Sequence, residues 1–229
     1  MRSNKLRGSQ MYSVAVLLTI TGGFFEAYTY FERDGVFANA QTGNIVKFAI
    51  ALAQGHFQDG LRFIPPIIAF IVGIGLTLLI HTYFHKKNLH IIRRVILFIE
   101  ILVCIIIAMI PADPHLNIVA NTLVSLICAM QMEAFQKFEG QMITTTVSTG
   151  NLKKAVEQLH RYFIHNDKDS LHQSLITFSI ILIFMSGVIL GVLASKAGGR
   201  YSILMALIPL LGAIFLITYK QLYDRSHQA

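Results

Sequence analysis

Tryptophan is absent from this chain, only 14% of its residues are charged, and cysteine occurs twice in 229 residues. Each scarcity excludes something. With 54% apolar residues and a mean hydropathy of +0.59, so little charge cannot clothe a soluble domain of this length, and the chain reads as an integral membrane protein. Without tryptophan, anchoring at the membrane–water interface falls to tyrosines such as Tyr12, Tyr83, Tyr201 and Tyr219. Cys104 and Cys128 sit inside apolar runs and share no metal-ligand spacing, so they read as small core residues. No nucleophile elbow, phosphate loop or zinc-hydrolase signature occurs, so nothing supports an enzyme and no cofactor is implied. Motifs that stack bases between aromatic and basic side chains are also missing. The net charge of +7 is therefore assigned to anionic lipid headgroups and not to nucleic acid.

What the chain does have is apolar length. Runs able to cross a hydrocarbon core of about 30 Å occupy residues 11–31, 63–84, 92–110, 116–136, 173–195 and 201–219. The basic stretch from Met1 to Gln10 is followed by no small-residue cleavage site, which predicts a retained first helix. If six spans alternate, fourteen of the nineteen Lys and Arg residues, Lys86 and Lys87 among them, share the side of the N-terminus. The other five are Arg33, Lys47, Arg62, Lys196 and Arg200. Basic loops stay in the cytoplasm. The expectation is a multi-pass protein of the cell (inner or plasma) membrane with cytoplasmic N- and C-termini.

The chain also repeats itself. Glu26-Ala27 returns as Glu133-Ala134, and Thr42-Gly43-Asn44 returns as Thr149-Gly150-Asn151, both at an offset of 107 (133 − 26 and 149 − 42). Between 26–47 and 133–154, eight of 22 positions agree, where composition alone gives roughly one or two. Arg93, Ile96, Leu97 and Ile101 meet Arg200, Ile203, Leu204 and Ile208 at the same offset, whereas Gly73 meets Gly187 at 114. Three spans per half turn the second copy upside down. The expected fold is an all-α membrane protein of six transmembrane helices in two inverted three-span repeats, residues 1–110 and 111–229. The turn Pro111-Ala112-Asp113-Pro114 joins them. After the first span of each half a short helix is expected, N-capped by Thr42 or Thr149; the first closes at Gly55 and the second, more polar, runs from Gly150 to about Tyr162. Residues 158–172 read as a polar loop rich in His, Asp and Lys.

A helix amino terminus leaves amides without partners and carries about half a positive charge. Thr42, Gly43, Asn44 and Lys47, with Asn39 just before them, therefore read as an anion site, mirrored by Thr149, Gly150, Asn151 and Lys154. The plainer reading is that each triplet merely starts a helix. Glu26, Glu133 and Glu100 lie within spans, where a carboxyl is costly and implies function, so they are candidate proton carriers. Plainer readings have Glu26 and Glu133 hydrated at the interface, Glu133 paired with Lys137, and Glu100 paired with His81 or an arginine. Glu32 and Glu139 read as solvated. His81 and His85 stand at i and i+4 without a third ligand, so no metal is expected.

Gly22-Gly23 ahead of an acidic-Ala pair, followed by the run Gly35-Val36-Phe37-Ala38-Asn39-Ala40-Gln41-Thr42-Gly43-Asn44, resembles the signature of the YoaK-like family of bacterial six-span membrane proteins. In that family an aspartate usually stands where this chain has Glu26. The resemblance covers the whole length and implies an inner-membrane location with no stated substrate. The first functional expectation is a secondary transporter for a small polar or anionic solute, with proton coupling through the carboxyls above. The second is a channel or pore formed by a homodimer. The third is a non-transporting scaffold or regulator acting through the polar segment 137–172. The partners expected are the lipid bilayer and a small molecule or ion, with no nucleic acid.

Overall fold

The computed structural model describes residues 2–84, 89–138, 141–142, 145–146 and 148–226, apart from the side chains of 2–11, 137–142 and 224–226. The helices are α1 (Arg2–Glu32), α2 (Gln41–Ala53), α3 (Phe57–Leu61), α4 (Ile64–Tyr83), α5 (Leu89–Met109), α6 (Pro114–Ala134), α7 (Ser148–His165), α8 (Lys168–Gly198) and α9 (Leu207–Ser226). A 3-10 segment, Gly199–Ala206, leads into α9, and two-residue strands β1 (Lys137–Phe138) and β2 (Gln141–Met142) pair antiparallel. Their ends follow local chemistry. Pro114 opens α6 behind Asp113, whose carboxylate accepts from the His115 amide, and Gly55 closes α2 at φ +78°, as its position predicts. Among the described residues, four stretches are long and apolar enough to cross a membrane: Tyr12–Glu32, Phe57–Tyr83, Pro114–Ala134 and Lys168–Tyr223, the last running from α8 into α9. The α5 helix is of similar length but carries Arg93, Arg94 and Glu100.

The helices α1 and α6 lie at the centre. The most extensive packing joins α1 to α8 and α4 to α6, and both pairs close on glycine. A Cβ at Gly23 would sit 2.2 Å from the Phe184 carbonyl oxygen, one at Gly187 2.4 Å from that of Ile20, and one at Gly73 2.5 Å from that of Leu126. Only glycine lets these backbones approach, the usual device where lipid removes any hydrophobic drive between helices. The core joins Leu18, Phe25 and Tyr28 of α1 to Ile96, Leu97 and Ile107 of α5, with Ile127 of α6 and Leu210 of α9. Leu79 of α4, Leu182 of α8 and Ile208 of α9 are exposed, which suits a hydrocarbon surround.

Several sequence expectations need correcting. The second short helix falls where expected, but the polar loop of 158–172 shrinks to a turn at Asn166–Asp167, because α7 runs on to His165 and α8 begins at Lys168. Polarity hid only the end of α7 and the start of α8; Asn151, Ala155 and Gln158 at i, i+4 and i+7 turn one face of α7 inward. Ser174 donates to the Ala155 carbonyl and Thr177 to the Gln158 side chain, which pins α7 to α8. Thr42 and Thr149 are not N-caps either. The α2 helix starts at Gln41 behind Ala40, and α7 starts at Ser148, so each triplet lies inside a first turn. The sixth apolar run begins in the 3-10 segment rather than in an α-helix.

Candidate functional site

The polar interior is built on one face of α6. Asn121, Ser125, Cys128 and Gln131 recur at helical spacing and are all buried. Opposite them on α1, Gln131 Nε2 donates to the Leu18 carbonyl at 3.2 Å and to Thr145 Oγ1 at 3.3 Å. One helical turn along, about 6 Å up the axis, Asn39 Nδ2 donates to the Gly22 carbonyl at 3.0 Å. The backbone of Thr145 and Thr146 lies against Gly22 itself, close enough that a Cβ there would meet the Thr145 oxygen at 2.8 Å. Two chain segments that are remote in sequence, 38–41 and 145–146, therefore converge on the same stretch of α1.

Glu26 and Asn39 are brought together. The Glu26 carboxylate accepts from the Asn39 amide at 2.7 Å, from Asn39 Nδ2 at 3.1 Å and from the Ala40 amide at 3.4 Å. It thus sits just ahead of α2, on the two amides that precede the helix, near the place offered by the sequence to an anion. Glu100 is fully buried with both oxygens unpartnered, and it pairs with neither His81 nor an arginine. Glu133 is half-buried and takes its hydrogen bond from Gln136. The side chain of Lys137, its expected partner, lies outside the described residues, as do Glu139 and His85.

The repeated triplet divides by role. Asn44 is fully buried, and its side chain is committed to its own loop. It accepts from the Phe37 amide at 2.9 Å and donates to the Phe37 carbonyl and to Gln41 Oε1, both at 2.8 Å. Gly43 lies under the Phe37 ring, which a Cβ would meet at 2.6 Å. Asn44→Ala should cost about 2–3 kcal/mol, from net terms near 1 kcal/mol for each lost bond, as a lowered melting temperature in detergent. Stability equal to wild type would mean the loop is held by something else. Thr42, Thr149 and Gly150 are exposed, whereas Asn151 is buried.

Lys47 donates to the Gly35 carbonyl at 2.6 Å and stands 4.4 Å from the Tyr30 ring centre and 4.6 Å from that of Phe37. Burial, and then repulsion from Arg62, lowers its pKa, and burial likewise lowers that of Lys154. Lys47 lines an open cavity of about 420 Å³ with Asp34, His56, Asp59 and Arg62. Among the described residues no three His, Cys, Asp or Glu side chains are grouped to hold a metal.

Sequence reasoning missed two sets of residues. Arg33, counted as a loop charge, is fully buried and donates to Tyr28, Asn117 and the carbonyls of Ile107, Ile110 and Pro111. The polar stripe of α6 was also passed over, although its spacing inside an apolar run was a usable signal.

Apolar helices enclosing such a polar interior define an all-helical integral membrane protein. More narrowly, the chain belongs to the family described as "Protein of unknown function (DUF1275)", whose model matches residues 14–217. No curated protein and no solved structure matches it.

Proposed function

We propose that this protein is a secondary transporter of a small polar solute in the cell membrane, with Glu26 carrying a coupled proton. The observation behind the reading is a set of buried polar atoms without partners: Thr19 Oγ1, Asn39 Oδ1, Gln131 Oε1 and Thr146 Oγ1, borne by α1, α6 and the two convergent segments. Buried polar groups are almost always satisfied. Four such groups on segments that meet along residues 18–26 of α1 are what a solute site would present.

The architecture proposed is six spans in two inverted repeats with both termini cytoplasmic. Gly73 and Gly187, matched at offset 114, support it by serving equivalent contacts, α4 on α6 and α8 on α1. In that arrangement 38–41 and 145–146 enter from opposite faces, and inverted repeats place their solute where such segments meet. Asn39 and Thr146 are themselves related by the offset of 107.

The test loads liposomes holding the purified chain with a pH-sensitive dye and adds alkali chlorides, methylammonium chloride, acetate or sorbitol. One class should evoke a saturable internal pH change, and Glu26→Gln should abolish it while the protein still inserts and melts cooperatively. Flux that never saturates would replace the transporter with a pore. An unchanged pH response in Glu26→Gln would remove that residue from proton coupling.

A further inference from the structure

We infer that the interior site takes a monovalent cation, an alkali ion or a small primary ammonium group, and not an anion. This rests on the transporter reading and names its substrate class.

The orientation of the open atoms is fixed by their neighbours. Asn39 Nδ2 faces the Gly22 carbonyl and Gln131 Nε2 faces the Leu18 carbonyl. A backbone carbonyl can only accept, so neither amide can be turned over without setting oxygen against oxygen. The unpartnered atoms are therefore two amide oxygens, which can only accept, and the hydroxyls of Thr19 and Thr146, which can accept. All four residues are at least nine-tenths buried, between 0 and 2% exposed. An occupant that satisfies the amide oxygens must bring hydrogen-bond donors or positive charge.

Charge points the same way. Glu26 is bonded to Asn39, every hydrogen bond to its carboxylate comes from an amide, and buried Glu100 has none. No Lys or Arg side chain answers either carboxyl among the described residues. The buried guanidinium of Arg33 is spent on a phenol, an amide oxygen and three carbonyls. The amides just ahead of α2, which could otherwise receive an anion, already hold the Glu26 carboxylate. In a low-dielectric interior an anion beside the Glu26 carboxylate is repelled, whereas a cation is drawn in. Amide oxygens, hydroxyls and one bonded carboxylate form a hard all-oxygen set. A single positive charge balances that one carboxylate, while a divalent ion would leave an excess.

The test measures thermal unfolding of the purified full chain at constant ionic strength in N-methylglucamine chloride, replaced stepwise by sodium, potassium or methylammonium chloride. Parallel arms use N-methylglucamine acetate and sorbitol. The diagnostic variants are Thr19→Val and Thr146→Val, which remove hydroxyls that make no hydrogen bond within the protein and so should leave the melting temperature without added cation unchanged. Sodium, potassium or methylammonium should raise the wild-type melting temperature saturably, and each variant should weaken the apparent affinity roughly tenfold. The arm that responds separates an alkali ion from an ammonium group. Stabilisation by acetate or sorbitol, lost in the same variants, would overturn the cation while leaving the transport site standing. Cation stabilisation equal in wild type and variants would overturn the location. No response to any probe, with no dye signal in liposomes, would remove both readings.

Discussion

Arg33→Met should lower the stability of the protein by about 3–5 kcal/mol, because buried acceptors lose a charged donor at about 1–3 kcal/mol each before the site relaxes. Arg33 is fully buried where α1 gives way to the following turn. Its Nε donates to Tyr28 Oη at 2.9 Å, one terminal nitrogen to the Pro111 carbonyl at 2.9 Å and Asn117 Oδ1 at 2.8 Å, and the other to the carbonyls of Ile107 and Ile110 at 3.3 and 3.0 Å. The α5 helix ends at Met109, so a fixed cation caps its carbonyl end and meets the negative pole of its dipole. Asn121 holds the Arg33 carbonyl at 2.7 Å and Asn117 the Asp34 carboxylate at 2.9 Å, which locks the Asp34–Gly35 turn, both residues at positive φ. Methionine would fill the space and leave five acceptors short. Arg33→Lys restores charge without the planar fork and should fall between the two. A melting temperature for Arg33→Met within about 2 °C of wild type would show that the junction of α1, α5 and α6 does not depend on this side chain.

Gly187→Ala and Gly75→Ala should move stability in opposite directions, although both put one methyl group into a helix. At Gly187 the new Cβ would lie 2.4 Å from the Ile20 carbonyl oxygen and 3.0 Å from Ile20 Cα, and backbone on both sides cannot give way. The α1 and α8 helices would have to part along their glycine seam, which Gly23 and Gly191 continue. Overpacking of this kind costs about 1–3 kcal/mol, so Gly187→Ala should melt well below wild type. Nothing lies within 4 Å of a Cβ at Gly75, so there the higher helix propensity of alanine should leave stability equal or raise it by up to about 1 kcal/mol. Equal effects at the two positions would mean that helix propensity, not the close approach of α1 to α8, sets the response.

Much of the candidate site was legible in the chain, but unevenly. Glu26 and Asn39 stood out as a carboxyl in an apolar run and an amide beside a repeated triplet, and they are bonded to one another. Asn44 stood out too, yet its atoms close the loop from Phe37 to Gln41. A motif marks a position that matters without saying whether its side chain faces a solute or its own backbone. Residues 158–172 look like a loop because lysine, aspartate and histidine dominate them, and they fold as helix because one face of α7 docks on α8.

The sequence by itself determined the membrane class, the helical stretches and the internal repeat. These follow from composition, apolar length and identity at a fixed offset, quantities that need no knowledge of contacts. Tertiary structure alone decided that Arg33 is a buried tie, that Gln131 reaches Leu18 across 113 positions, and that segments 38–41 and 145–146 meet at Gly22. Helical periodicity assigns a residue to a face, but the hydrogen bond it makes depends on which helix covers that face. That choice was made by the glycine seams, which set α1 against α8 and α4 against α6 and so brought the polar atoms of distant segments together.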